Sequence, residues 1–260
     1  MATVSDALIL MAGSGSRLRA GGPTTIKPLI PVLGRALISY IFEALVRAGI
    51  KKVCAVVGFE KQSLTEQLNS LIPRELDVLF VENPDWQKQN GISVLAAANC
   101  VAPPFLLTMS DHLFDQAIID LLLRHADTDE LNVAIDRKRD SIFDLDDAMK
   151  VQTRGDRVVA IGKQLTHYDA IDTGLFVCPG NFFDYLERAK HGGDCSLAEG
   201  VRAMARDGKV RAIDIGDAWW QDVDTPAMLA SAEEHLRSRL GRAESASIGA
   251  NTEARDSAKD

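Results

Sequence analysis

The residues best suited to chemistry gather at the front of the chain. Residues 7–29, ALILMAGSGSRLRAGGPTTIKPL, combine a glycine-rich turn with basic residues and a lysine-proline step. Residues 7–11 are apolar and bounded by glycine, so they read as a buried strand that opens into the turn Ala12-Gly13-Ser14-Gly15-Ser16. Successive N–H groups in such a turn make a concavity for an anion, and Arg17 and Lys27 add positive charge around it. The chemistry this suits is the holding of a polyphosphate. No Gly-Lys-Ser/Thr step follows Gly15, which excludes a Walker A loop, and Leu18 stands where a dinucleotide fingerprint needs its third glycine. Glycine spacing alone fits any strand-to-helix turn; two cations ten residues apart are what a purely structural turn does not need.

Three aspartates form a second constellation. Asp111 follows the apolar run 105–109, which places it beyond the carboxyl end of a strand, where open α/β sheets bind ligands; a helix N-cap is the competing reading. Asp222 and Asp224 are two residues apart, so on a strand both point to one side, and two like charges on one side call for a cation between them. Asp224-Thr225-Pro226 also has the form of a helix start.

With these residues together the chain resembles the sugar-phosphate nucleotidyltransferases. The pattern Ala-Gly-x-Gly-x-Arg-Leu followed by Lys-Pro-Leu stands here as Ala12 to Leu18 and Lys27-Pro28-Leu29. The resemblance continues through Asn83-Pro84, Asn90-Gly91-Ile92-Ser93, Met109-Ser110-Asp111-His112, Ile171-Asp172-Thr173-Gly174 and Trp220 to Pro226, close to the whole chain up to Gly241. It implies a nucleotide site at Ala12, Gly13, Ser14, Gly15, Ser16, Gly91 and Ser93, with Arg17 and Lys27 acting on the phosphates. It further implies magnesium on Asp111, Asp222 and Asp224, and acceptor contacts from Lys163 and Asp172. The segments at 83–93 and 109–112 look most like CTP-dependent members that act on inositol-1-phosphate; phosphocholine, sugar-1-phosphate or phosphonate acceptors with another nucleoside triphosphate are the alternatives, and a non-catalytic nucleotide-binding module is a remote one.

These residues must be held by a scaffold, and the sequence describes one. Apolar runs alternate with helical periodicity through the first half, the mark of a parallel sheet with crossover helices. After Asp140 the strands shorten at 149–154, 157–162 and 171–178, which suggests a small β-rich insertion over the sheet's open edge. The expected fold is α/β: a single Rossmann-like nucleotidyltransferase domain over 1–241, with a mixed, mostly parallel sheet. Residues 242–260 are small, polar and aperiodic, and read as a disordered tail.

Composition narrows the partners. Of 260 residues, 46% are hydrophobic and 25% charged, which suits one globular core. A net charge of −8 argues against nucleic acid as a general partner, while a small anionic substrate needs only a local cationic pocket. No run is long enough for a membrane span, MATVSDALIL lacks the form of a signal peptide, and Cys54, Cys100, Cys178 and Cys195 are scattered as in reduced cytoplasmic proteins. The reading admits a homo-oligomer. The five histidines show no metal-ligand spacing, and Trp219-Trp220 is expected in the core.

Overall fold

A computed structural model describes residues 4–15 and 26–256, the stretch 242–256 by backbone alone. The first strand, β1 (Asp6–Leu10), is buried along its whole length. Its alternate residues divide between two cores: Ala7 and Ile9 pack on one side of the sheet, Leu8 and Leu10 on the other. That two-residue alternation, apolar on both faces, is why a run without polar breaks forms a central strand covered by helices.

The first half follows the strand-helix alternation. After a single 3-10 turn at Lys27–Leu29 and the short hairpin β2 (Pro31–Val32) and β3 (Arg35–Ala36), α1 (Leu37–Arg47) buries Leu37, Ile38, Ile41, Phe42 and Leu45 at helical spacing. Strand β4 (Lys52–Val57), helix α2 (Lys61–Asn69), strand β5 (Asp77–Glu82), helix α3 (Asn90–Ala96) and strand β6 (Phe105–Met109) follow. Strands β5, β4, β1 and β6 are neighbours in that order, and all pair in parallel.

The second half is built differently. Beyond β7 (His112–Phe114) and α4 (Gln116–His125) come β8 (Leu131–Asp136), β9 (Lys150–Arg154), β10 (Arg157–Gly162) and β11 (Ala170–Cys178). Helices α5 (Phe182–Ala189) and α6 (Leu197–Arg206), strands β12 (Val210–Asp214) and β13 (Trp220–Asp222), and helix α7 (Pro226–Asp256) complete the chain. The nine-stranded sheet runs β5-β4-β1-β6-β11-β8-β12-β10-β9, with β9 also pairing to the start of β11.

The sheet is mixed, as expected, but β11 corrects one part of the reading. It is no insertion strand. It lies antiparallel between β6 and β8 in the middle of the sheet, and antiparallel ladders dominate this half. Only the β9–β10 hairpin sits at the edge. Strand order depends on which apolar faces meet, and run length does not carry that information. At the chain end the backbone of α7 is helical to Asp256, while 257–260 lie outside the described residues. Alanine, glutamate and arginine in that stretch favour helix locally even without an apolar stripe. No helix among the described residues is long and apolar enough to cross a membrane.

Candidate active site

The site forms at the carboxyl ends of β1 and β6, the two parallel strands at the centre of the sheet. Past β1, the chain turns through Gly13 and Gly15. Gly15 has φ +60, and a Cβ there would stand 2.9 Å from Cβ of Lys27, so glycine is what allows the turn to close onto that lysine. Past β6, Ser110 N donates to Leu10 O at 3.1 Å, carrying the β1–β6 pairing one step further and bringing Asp111 beside the turn.

Lys27 then joins the two acidic segments. Its ammonium donates to Asp111 Oδ2 at 2.5 Å and also to Asp224 Oδ1. The lysine side chain is only 11% exposed, so both ion pairs lie away from bulk water. Burial by itself would lower its pKa; Asp111 and Asp224 outweigh that and raise it. Burial would likewise raise the Asp111 carboxyl, but Lys27 and then His112 hold it well below the usual carboxylate range. Asp111 is therefore an anion at any working pH.

Asp222 arrives by a separate route. Strand β13 pairs antiparallel with β7, setting Asp222 opposite His112, and Val223 N donates to Asp111 O at 2.9 Å. Burial, and then the charges of Asp224 and Asp111 against the pull of His112, push the Asp222 carboxyl above its ordinary value. Asp172 lies on β11 at a bulge in its pairing with β8; its Oδ1 accepts from Gly174 N at 2.8 Å. Burial raises its pKa to about 7, with the Gly174 N–H and His112 opposing.

Two cavities meet here. One, of about 200 Å³, is lined by Gly13, Gly15, Lys27, Ser110, Asp111 and Asp224. The other, of about 290 Å³, is lined by Lys163, Asp172, Trp220, Asp222 and again Asp111 and Asp224. The two aspartates that grip Lys27 are thus the shared wall. Lys163 stands in the second cavity with its Nζ 2.5 Å from Asp147 Oδ1. An arrangement of two ligand-sized hollows meeting at a strip of paired charges can align two anions end to end.

Not every expected site residue faces these hollows. Ala12 is buried, and its carbonyl accepts from Phe59 N at 3.0 Å. Ser14 is half-buried on the turn and lines neither cavity. Gly91 packs α3 against the start of α6, where a Cβ would come within 2.6 Å of Cys195 O. Ser93 is buried with its hydroxyl accepting from Asn83 Nδ2 at 3.0 Å. In this structure Gly91 and Ser93 lie where α3 packs against the start of α6 and against Asn83, and neither lines the two cavities. Ser16 and Arg17 lie outside the described residues.

Other residues enter that the sequence reading did not assign to the site, although His112 was the one histidine expected near it and Trp220 was expected in the core. His112 is fixed between Asp111 and the Trp220 ring, whose centroid lies 5.9 Å away at 14°. Trp220 lines the larger cavity and donates Nε1–H to Asp136 Oδ2 at 2.9 Å, whereas Trp219 stacks on His235. Asp144 and Asp147, from the segment before β9, line the same cavity. The signal available for His112 was its place directly after the site aspartate.

A central sheet with a glycine turn at one strand end, a lysine between carboxylates at the next, and two adjoining hollows defines an α/β protein with a candidate site for charged ligands. The chain belongs to the family of MobA-like NTP transferase domains, whose model matches residues 7–214. It is 36% identical over 245 residues to a bifunctional IPC transferase and DIPP synthase of Rubrobacter xylanophilus, covering 94% of this chain and 54% of that protein. A protein of the same description from Thermococcus kodakarensis is 34% identical, covering 88% and 50%. The chain thus spans about half the length of these relatives. Its fold matches the structure of the inositol-1-phosphate CTP transferase from T. maritima with a TM-score of 0.80 and 26% identity, covering 90% of this chain and 95% of that one. A UDP-glucose pyrophosphorylase complexed with UDP-glucose shares the fold, with a TM-score of 0.77 at 16% identity, covering 91% and 100%.

Nucleotidyltransferases of this kind generally use a divalent metal. Among the described residues, no three His, Cys, Asp or Glu side chains form a ready cage for one. Asp111 and Asp224 nevertheless already share one cationic group, the Lys27 ammonium, and their oxygens are the hard donors such ions select. A magnesium ion needs only one or two carboxylates when phosphate oxygens and water complete its shell, so the residues fit the ion as it would come with a nucleotide.

Proposed function

We propose that the chain transfers a cytidylyl group from CTP to a phosphorylated polyol, inositol-1-phosphate, releasing pyrophosphate. The observation that carries this reading is the pair of cavities divided by Asp111 and Asp224, with Lys27 between them. The relatives named for IPC transferase and the structural match to an inositol-1-phosphate CTP transferase support the choice of substrates.

In the reaction an oxygen of the acceptor phosphate attacks the α-phosphorus of CTP; the new P–O bond forms as the bond to the pyrophosphate oxygen breaks. The nucleophile is already an anion, so the protein supplies alignment and charge, not a strong base. The glycine turn and Lys27 hold the triphosphate and its departing pyrophosphate, and Arg17 joins them by the resemblance. Lys163 meets the acceptor phosphate. Asp172 accepts hydrogen bonds from ring hydroxyls, which a polyol offers and choline lacks. Asp111 with Asp222 or Asp224 would hold magnesium, which when bound would supply neutralisation of charge at the α-phosphate. A quaternary ammonium favours an aromatic cage, and the larger cavity offers only Phe176 and Trp220 among the described residues. A module that merely binds nucleotide has no use for this second, acid-lined cavity. Four free cysteines suit a reducing, cytoplasmic setting.

The test is a matrix of four nucleoside triphosphates against inositol-1-phosphate, phosphocholine, a phosphonate and hexose-1-phosphates, read as magnesium-dependent pyrophosphate release. CTP with inositol-1-phosphate is expected to give the highest kcat/KM. A faster phosphocholine reaction overturns the acceptor; no pyrophosphate from any pair overturns the transferase.

A further inference from the structure

His112 is held on more sides than a packing residue requires. Its Nδ1 lies 2.6 Å from Asp111 Oδ1, and because an ionised carboxylate can only accept, Nδ1–H is the donor. One ring face meets Trp220 at 14°. The other end of the ring abuts Gly174, where a Cβ would stand 2.6 Å from Nε2. Gly174 is at φ +76, at the bulge of β11, so the absence of a side chain there serves both the backbone and the ring. Backbone pairing of β7 with β13 sets His112 opposite Asp222.

These contacts leave the Asp111 carboxylate little freedom. With Oδ1 held by His112, Oδ2 is the oxygen turned to Lys27, at 2.5 Å on the wall between the cavities. We propose that His112 is a positioning residue for the reaction: through its Nδ1–H it fixes the orientation of Asp111, and Gly174 is the seat that keeps the ring in place. This rests on the reading that Asp111 holds the divalent cation delivered with the nucleotide. Groups that orient a metal-binding carboxylate from behind typically change metal affinity or activity by about 10- to 100-fold when removed.

The experiment measures Mn²⁺ affinity of the full chain with a non-hydrolysable CTP analogue, by electron spin resonance, beside steady-state kinetics. His112→Phe keeps the ring stack and removes the donor; it is expected to weaken Mn²⁺ by about 10- to 100-fold, to lower kcat, and to leave the nucleotide KM at saturating Mn²⁺ unchanged. His112→Asn sets an amide N–H near the Nδ1 position and should recover most of the loss, whereas His112→Gln, whose amide sits near Nε2, should not. That pair decides the matter even if the phenylalanine variant does not fold, since a packing role would affect both amides alike. Gly174→Ala, by driving into the ring, should reproduce the His112→Phe loss of Mn²⁺ affinity. Equal Mn²⁺ affinities for His112→Asn and His112→Gln, or wild-type affinity in His112→Phe, overturn the proposal. Asp111→Asn serves as the control: wild-type Mn²⁺ affinity there overturns the cation reading itself, while a loss confined to Asp111→Asn overturns only the positioning role.

Discussion

Lys27 and Asp111 show how two buried side chains of opposite charge offset each other's solvation cost. Burial works against the charged form of both, and each charge offsets the other's penalty, with Asp224 adding to the lysine's side. The amide of Asp111→Asn preserves shape but removes a full negative charge. Turnover should fall by about 10²-fold or more, measured as pyrophosphate release, and near-normal turnover at saturating magnesium would remove Asp111 from the mechanism. Among the described residues, Asp172 makes no ion pair with a lysine or arginine, and His112 opposes the effect of its burial only in part. The Asp172 pKa is raised from 3.8 to about 7, so the folded protein holds its proton where the unfolded chain releases it. This contribution to stability is fully present below about pH 4 and is lost as pH rises through about 7. Asp172→Asn cannot ionise, so the melting temperature of the variant relative to wild type should be higher at pH 8 than at pH 5. A pH-independent difference would contradict the burial of this carboxyl.

At the level of elements, the packing of α3 on α6 explains why a glycine within a helix carries meaning. The N-terminus of α6 is closed by a capping box, in which Ser196 Oγ accepts from Glu199 N at 3.2 Å and Glu199 Oε2 accepts from Ser196 N at 2.7 Å. Asn90 Oδ1 accepts from Leu197 N at 2.8 Å, tying α3 to that cap. Gly91 lies under the same segment, and the obstacle to a larger residue is backbone, which cannot simply rotate away. Gly91→Ala should therefore cost roughly 1–3 kcal/mol of stability, by analogy with overpacked cores, read from the denaturant midpoint, while the nucleotide KM stays near wild type. A raised nucleotide KM with unchanged stability would return Gly91 to the nucleotide site. The strands with continuous apolar runs, β1, β4 and β6, were legible in the sequence because both of their faces are covered. Strand β7 was not: three residues, His112 to Phe114, are too few to show a period. Strand β8 was hidden by Asn132, a fully buried amide whose Nδ2 donates to the carbonyls of Asp127 and Glu130 and so belongs to the turn before the strand as much as to the strand.

Across the whole molecule, the sequence pointed to Lys27, Asp111, Asp222 and Asp224, which the structure brings together, but not to how the cavities around them are divided. Asp111 was legible because an aspartate after an apolar run is a local pattern, whereas the expected strand through Asp222 and Asp224 ends at Asp222, and Asp224 reaches the site from the turn before α7. The partition into two cavities was not legible, since it depends on Lys27 crossing 84 and 197 residues of sequence to reach its partners. That partition has a kinetic consequence. Gly15 lines only the smaller cavity and Lys163 only the larger, so their losses act on different ligands. Gly15→Ala together with Lys163→Ala should lower kcat/KM by the product of the single effects, their free energies adding to within about 0.5 kcal/mol, as for sites without shared partners. Lys27→Ala with Asp111→Asn should not behave so. The two groups are bonded to each other, and once one is lost the other has less to lose, which calls for a coupling energy of about 0.5–3 kcal/mol. Double-mutant cycles on pyrophosphate release measure both. Strong coupling between Gly15 and Lys163, or independence of Lys27 and Asp111, would mean that the wall between the cavities does not separate the two substrates.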